Sequence, residues 1–312
     1  MCCFSQPTTV SSTSIFARYA APSRQLVAYR MQYTAERPTA MILPLPVALP
    51  AGEASVAWRD LKAYPHFFED LDRGFPAPPP SRFTRSKSVA AAAAPQAIAV
   101  HEVGDFIASF VPNVADFDRL DPQFSIRKDI WAQIPEYRDY GFAVFQLKKL
   151  SGSPHPIAFE FHSRMADKLF FPTVHIHDGT VHAEEHFDHA LYMQDARFDA
   201  QVGDYAGPDE ADKRTGYVRS NGKVAAFANV GAAAGVLDGD LLVHRSLVRG
   251  LRANKDTLVE LVSARASAAS GCGRCAAFAP GGKEVTLAGP SSAALLAFAW
   301  IVRRRNLLRA GR

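Results

Sequence analysis

Apolar residues along this chain fall mostly into short runs with strand character. Residues 15–19 and 26–31 are rich in β-branched and aromatic side chains and are split by Pro22-Ser23, so 12–33 predicts a hairpin. Residues 41–47 are apolar but carry Pro44 and Pro46. Each proline gives up a ladder donor, so an edge strand or an extended segment is expected there. Trp58, Leu61, Tyr64, Phe68 and Leu71 recur at three- and four-residue spacing, which predicts a helix over 58–72, kinked or divided at Pro65. Strands follow at 98–103 and 106–111, then helical stretches around Val114, Phe117 and Leu120 and around Ile126, Ile130 and Trp131. The run 141–147 reads as a buried strand, and 157–162 alternates with Ile157, Phe159 and Phe161 on one face. A strand over 170–177 ends in the turn Asp178-Gly179, and a helix or a second strand carries His182 to Tyr192. Residues 199–223 are polar and loop-like. Weaker strands are expected at 224–230 and 241–244, and a short helix at 255–262.

Strands come in runs, without a βαβ rhythm. The expected class is therefore α+β, with a mostly antiparallel β-sheet, a few short helices and a C-terminal apolar helix. Residues 1–262 form the globular domain, and 263–312 form a low-complexity tail. The Pro- and Ala-rich stretch 75–97 is read as a flexible surface insert. No internal repeat, Walker loop or dinucleotide fingerprint is present.

Composition changes this picture little. Of 312 residues, 48% are hydrophobic and 21% charged, which is ordinary for a globular chain. The net charge of +4 is small and owes much to the C-terminal Arg cluster, so no nucleic-acid partner is expected. The segment Met1-Cys2-Cys3-Phe4-Ser5 lacks the basic and apolar regions of a signal peptide, so the expected location is cytoplasmic. The tail qualifies that expectation. Cys272-Gly273-Arg274-Cys275 precedes a mostly apolar run at 285–302, closed by Arg303-Arg304-Arg305. This order resembles myxobacterial C-terminal sorting tails and implies membrane contact through 285–305. The alternatives are a surface-packed amphipathic helix, or a C-x-x-C metal or redox site.

Two places carry candidate chemistry. His175, His177, His182, His186 and His189 crowd into fifteen residues. His175 and His177 share one face of a strand, and the turn at Asp178-Gly179 would bring His182 back towards them. The expected site is zinc or another divalent metal on His175, His177 and His182, with His186 or Glu185 as the fourth ligand. If the ion activates water, Glu184 or Glu185 would be the base. The alternative is an exposed polar turn whose histidines have no role. The second place is the N-terminus. Removal of Met1 would leave Cys2 with an amine and a thiol on one residue. The start Met1-Cys2, with Phe16-Ala17-Arg18 after it, resembles N-terminal-nucleophile hydrolases of the bile-salt hydrolase and penicillin V acylase type. That resemblance implies a Cys2 nucleophile assisted by Arg18. Tyr19 and Ala21 stand where those enzymes carry Asn and Asp.

The layout also resembles an uncharacterised bacterial domain-of-unknown-function family, number 2330, through Thr39-Ala40-Met41-Ile42-Leu43-Pro44-Leu45-Pro46, the stretch 137–148, His155-Pro156-Ile157-Ala158-Phe159 and Leu169-Phe170-Phe171-Pro172. It implies an envelope location and brings no catalytic residues. Three functions stay open: a globular domain with a His-rich divalent-metal site, a non-enzymatic binding or structural module anchored by its tail, and an N-terminal-cysteine amide hydrolase.

Overall fold

The computed structural model describes residues 3–75, 100–165, 167–201, 211 and 216–261. All of these belong to the first of two units, Met1–Ala264 and Arg265–Arg312. Almost all of the insert at 75–97, Cys2, the Cys272/Cys275 pair and the apolar run at 285–302 lie outside the described residues.

Among the described residues the strands, in chain order, are β1 (Cys3–Phe4), β2 (Thr8–Ala21), β3 (Arg24–Ala35), β4 (Ala40–Leu45), β5 (Val56–Asp60), β6 (His101–Val103), β7 (Phe106–Val111), β8 (Gly141–Leu147), β9 (Ser151–Gly152), β10 (Ile157–His162), β11 (Lys168–Phe171), β12 (Glu184–Gln194), β13 (Val218–Arg219), β14 (His244–Ala253) and β15 (Thr257–Glu260). Helices α1 (Phe67–Arg73), α2 (Lys128–Trp131) and α3 (Ala196–Gln201) are short. The small sheet has the order β1-β4-β8-β7-β6. The large sheet runs β13-β14-β12-β2-β3-β10-β5, with β9 beside β3, and β11 pairs with β15. Pairing is antiparallel except between β2 and β12, which run parallel. The architecture is mostly antiparallel β with a few short helices, as the strand-rich pattern implies.

The large sheet is covered on both faces, which explains why its central strands read as continuous apolar runs. Ile15, Val27, Tyr29, Ile157, Phe159, Leu191 and Met193 enter one core together with the small sheet. Their neighbours Phe16, Leu26, Ala28, Ala158 and Tyr192 point the other way. They pack against Phe67, Phe68 and Leu71 of α1 and against Val224, Val236 and Val243. Pro44 fits its strand for a simple reason. The Ala40 carbonyl accepts from Ser5 N–H at 3.0 Å, and the Thr39 carbonyl accepts from Leu147 N–H at 3.1 Å. Even-numbered residues of β4 therefore face β1, whose pairing with β4 covers Met41 and Ile42. Pro44 faces the open side beyond β1, where no donor is needed.

Several expected elements differ. The helix over 58–72 is a strand and a short helix: Trp58 lies on β5 opposite Phe159, and only Phe67–Arg73 is helical. Trp58 packs edge-on against Phe145, with ring centroids 5.3 Å apart, so tertiary packing overrides its helical spacing. The strand expected over 170–177 stops at Phe171, because Pro172 cannot donate to the ladder. Of the helix or strand expected to carry His182 to Tyr192, the strand forms, as β12 from Glu184 to Gln194. The strand expected at 224–230 is a 3-10 turn, Val224–Ala226. The strand expected at 241–244 begins instead at His244 and continues to Ala253. The helix expected at 255–262 is β15, whose ladder with β11 suits its β-branched Thr257 and Val259.

Candidate metal centre

Beyond Pro172 the chain leaves the β11 ladder. Its backbone groups find other partners. Asp256 Oδ1 accepts from Thr173 N–H at 2.8 Å and from Val174 N–H at 3.2 Å. Asn254 Oδ1 accepts from His175 N–H at 2.7 Å. On the other side Phe4 N–H donates to the Ile176 carbonyl at 2.7 Å, and Thr8 N–H to the His177 carbonyl at 2.9 Å. Ile176 is fully buried in the core between the sheets. Its neighbours His175 and His177 instead approach Glu185. Asp178 Oδ1 accepts from Thr180 N–H at 2.9 Å, and Gly179, at φ +83°, completes the turn. The chain then enters β12.

On β12 the odd-numbered residues face inward, with Phe187, His189, Leu191 and Met193 all buried. Glu185 shares that face and meets the two histidines. One ligand atom from each of His175, His177 and Glu185 lies within 4.8 Å of the others. His177 Nε2 and Glu185 Oε2 are 3.5 Å apart. Two ligands at ~2.0–2.1 Å from a tetrahedral ion stand roughly 3.3 Å apart, so this pair already has nearly the right separation. The His175 ring is fully buried, 4.3 Å from the Phe187 ring and 5.2 Å from that of His189, centroid to centroid. Burial lowers the His175 pKa from 6.5 to about 2. Its imidazole is therefore neutral, the form that binds metal.

The other expected ligands stand apart. His182 is exposed and its Nε2 lies 2.8 Å from Asp178 Oδ2, a bond that raises its pKa. His186 and Glu184 are exposed on the outward face of β12. Of the two glutamates expected as bases, Glu185 is the one that reaches the histidines. His189, on the inward face, packs beneath His175 rather than joining the three donors. Asn254 and Asp256 carried no signal in the sequence pattern, because their role depends on a turn some eighty residues from the histidines.

At the N-terminus, Cys3 is fully buried on β1, with Sγ 3.9 Å from the Val174 carbonyl. Arg18 donates to the Val236 carbonyl at 2.6 Å and to the Gly235 carbonyl at 2.8 Å. Those carbonyls belong to the segment covering the large sheet's other face, away from β1. Two surface grooves lie elsewhere. One of about 330 Å³ is lined by Lys62, Lys148, Lys149 and His155 among others, and one of about 410 Å³ by Phe198, Tyr217, Ser246 and Val259 among others. No helix among the described residues is long and apolar enough to cross a membrane.

No family model matches the chain, and no curated protein does. Among solved structures, the chain is similar to baculovirus P35, at 11% identity and a TM-score of 0.42, over 84% of this chain and all of that one. It is similar also to P35 in a caspase-8/P35 complex, at 12% identity and a TM-score of 0.41, over 80% of this chain and 96% of that one. A mutated baculovirus P35 after caspase cleavage gives 14% identity and a TM-score of 0.40, over 81% and 98%. Likenesses this distant say nothing about activity.

Proposed function

We propose that this chain is a divalent-metal-binding β-protein, with zinc or a similar ion held by His175, His177 and Glu185. The observation that carries this reading is the approach of three ligand atoms, from two separate elements, to within 4.8 Å of one another. Two nitrogens and one carboxylate oxygen suit zinc or non-haem iron and leave a position open for water or a ligand. Burial keeps His175 neutral, so binding there displaces no proton at neutral pH. The ion would tie the 173–177 limb to β12, so its binding free energy would add to folding stability. Metal binding is favoured over metal-assisted hydrolysis because Glu185, as a ligand, would not be free to act as a base, and Glu184 faces outward. Membrane contact through 285–305 is a separate proposal, tested by fractionating cells that express the chain with and without those residues.

The test is elemental analysis and zinc titration of the full chain beside a His175→Ala/His177→Ala double variant. About one ion per chain, lost in the variant, is the expected result. At free zinc one hundred times the dissociation constant, the ion should also stabilise the protein by about 2.7 kcal/mol. No binding after reconstitution, or equal binding by the double variant, would sink the reading.

A further inference from the structure

Taking the metal reading as its basis, we infer that Asn254 is the positioning residue of this site, setting the main chain of the ligand limb through its carboxamide. Beyond Pro172 no strand among the described residues pairs with the limb on the side away from β1. Asn254 fills that gap with a side chain. Its Oδ1 accepts from His175 N–H at 2.7 Å, and its Nδ2 donates to the His175 carbonyl at 2.9 Å. Accepting from and donating to one residue is what a paired strand residue does in an antiparallel ladder. The carboxamide reproduces that exchange where the ladder has ended.

Two more bonds make Asn254 specific to this site. Nδ2 also donates to the His182 carbonyl at 2.9 Å, and the Asn254 main-chain N–H donates to the Ala183 carbonyl at 2.9 Å. One residue thus grips both limbs of the turn. The first limb carries His175 and His177, and the second leads within two residues to Glu185. Separation between the limbs sets separation between the imidazoles and the carboxylate. Asparagine suits this work because its side chain has an acceptor and two donors at fixed angles. Alanine and serine cannot make the three side-chain bonds. The upstream anchor is Asp256, which holds Thr173 and Val174 and accepts from Tyr137 Oη–H at 2.7 Å. Asn254 is therefore fixed to a limb that is itself fixed, two conditions for a preformed site.

The experiment compares zinc affinity and the visible spectrum of the cobalt-loaded full chain for wild type, Asn254→Ala, Asn254→Ser and Ser220→Ala. Ser220 is a control far from the site, a buried hydroxyl that bridges the Gly222 carbonyl at 2.6 Å and Val243 N–H at 3.0 Å. Residues that orient metal ligands typically govern 10- to 100-fold in affinity, so a loss of about that size is expected in both Asn254 variants. Their cobalt absorption should shift with the altered geometry. Ser220→Ala should lower the melting temperature and leave affinity and spectrum unchanged. Both variants keep the main-chain bond to Ala183, and the serine variant, whose hydroxyl can replace one side-chain bond, carries the test if the alanine variant does not fold. Wild-type affinity and spectrum in the Asn254 variants, with binding abolished in the His175/His177 double variant, would overturn this inference and leave the metal reading standing. Absence of binding in wild type itself would overturn both.

Discussion

Two apolar stretches, 141–147 and 170–177, end up held in different ways. The first is β8, which pairs along its length with β4 on one side and β7 on the other. Its peptide groups are satisfied by other peptide groups, and its side chains are needed only to pack. The second pairs with β15 for two residues and then meets Pro172. From there individual partners take over: Asp256 for the Thr173 and Val174 N–H groups, Asn254 for His175, and residues at the start of the chain for the Ile176 and His177 carbonyls. A ladder tolerates many sequences, whereas a limb held by individual side chains depends on each of them. Two of the three metal candidates, His175 and His177, sit on the limb, and the third, Glu185, faces them from β12.

The comparison makes its largest prediction in the ladder. Phe145 is fully buried, with ring centroids 5.3 Å from Trp58, 5.9 Å from Phe159 and 6.3 Å from Phe106. Phe145→Ala should cost about 3–5 kcal/mol in urea denaturation, as aromatic deletions in packed cores do. A smaller loss is expected on the limb. Asp256→Ala leaves Thr173 N–H, Val174 N–H and the Tyr137 hydroxyl without their acceptor, at about 2–3 kcal/mol. The two variants should separate in zinc affinity. The Asp256 variant should lose affinity because the ligand limb moves, while the Phe145 variant, measured where it is still folded, should keep it. Equal affinity in both would erase the distinction between ladder and limb.

Much of the ladder was legible in the sequence and little of the limb was. The strands 141–147 and 157–162 have the predicted bounds, because β-branched and aromatic residues in a short run leave few alternatives. The hairpin of β2 and β3 was expected from Pro22-Ser23, although it extends further at both ends. Spacing misled at 58–72, where Trp58 fits both a helical stripe and a strand face, and packing against Phe145 decides. It misled again at 255–262, where Thr257 and Val259 alternate over too few residues to register. His175 and His177 were brought together by period-two reasoning, which holds for extended chain whether or not a ladder is present. His182 and His186 were grouped with them by nearness in sequence. The turn bends His182 towards Asp178, and strand alternation sends His186 outward.

Acidity probes the limb more gently. Burial takes His175 from 6.5 down to about 2. A histidine so depressed contributes stability above pH 6.5 that is lost as pH falls below it, because the unfolded chain takes up a proton that the native one refuses. Asp256 runs the other way. Burial raises it from 3.8 to about 6, against the hydrogen bonds from Tyr137, Thr173 and Val174 that favour its charged form. Its contribution is complete below its unfolded value of 3.8 and is lost as pH rises through about 6. Between about pH 4 and 6 the two groups oppose each other. Asp256→Asn keeps an acceptor for the two N–H groups and removes one of the opposing titrations. The metal-free variant should therefore lose stability on acidification more steeply than wild type. Parallel stability profiles across that window would show that the opposition does not operate.

The smallest expected effect lies on the outward face of β12, and it tests the register on which the site depends. Glu184 pairs opposite Ala253 and His186 opposite Leu251, and both side chains are exposed. Glu184→Gln and His186→Ala should each change stability by no more than about 0.5 kcal/mol, as surface substitutions do. Neither should alter zinc affinity. The strand period is two, so a slip of one residue would turn Glu184 and His186 inward and carry Glu185, Phe187 and His189 out. In that register Glu184 would stand where Glu185 stands beside His177, and the cover over the His175 ring would be gone. A loss of affinity in His186→Ala comparable to that in His177→Ala would mean that β12 pairs in the shifted register in solution. Silence in the outward variants, beside a large loss in Glu185→Gln, would fix β12 where its alternation of buried and exposed residues places it.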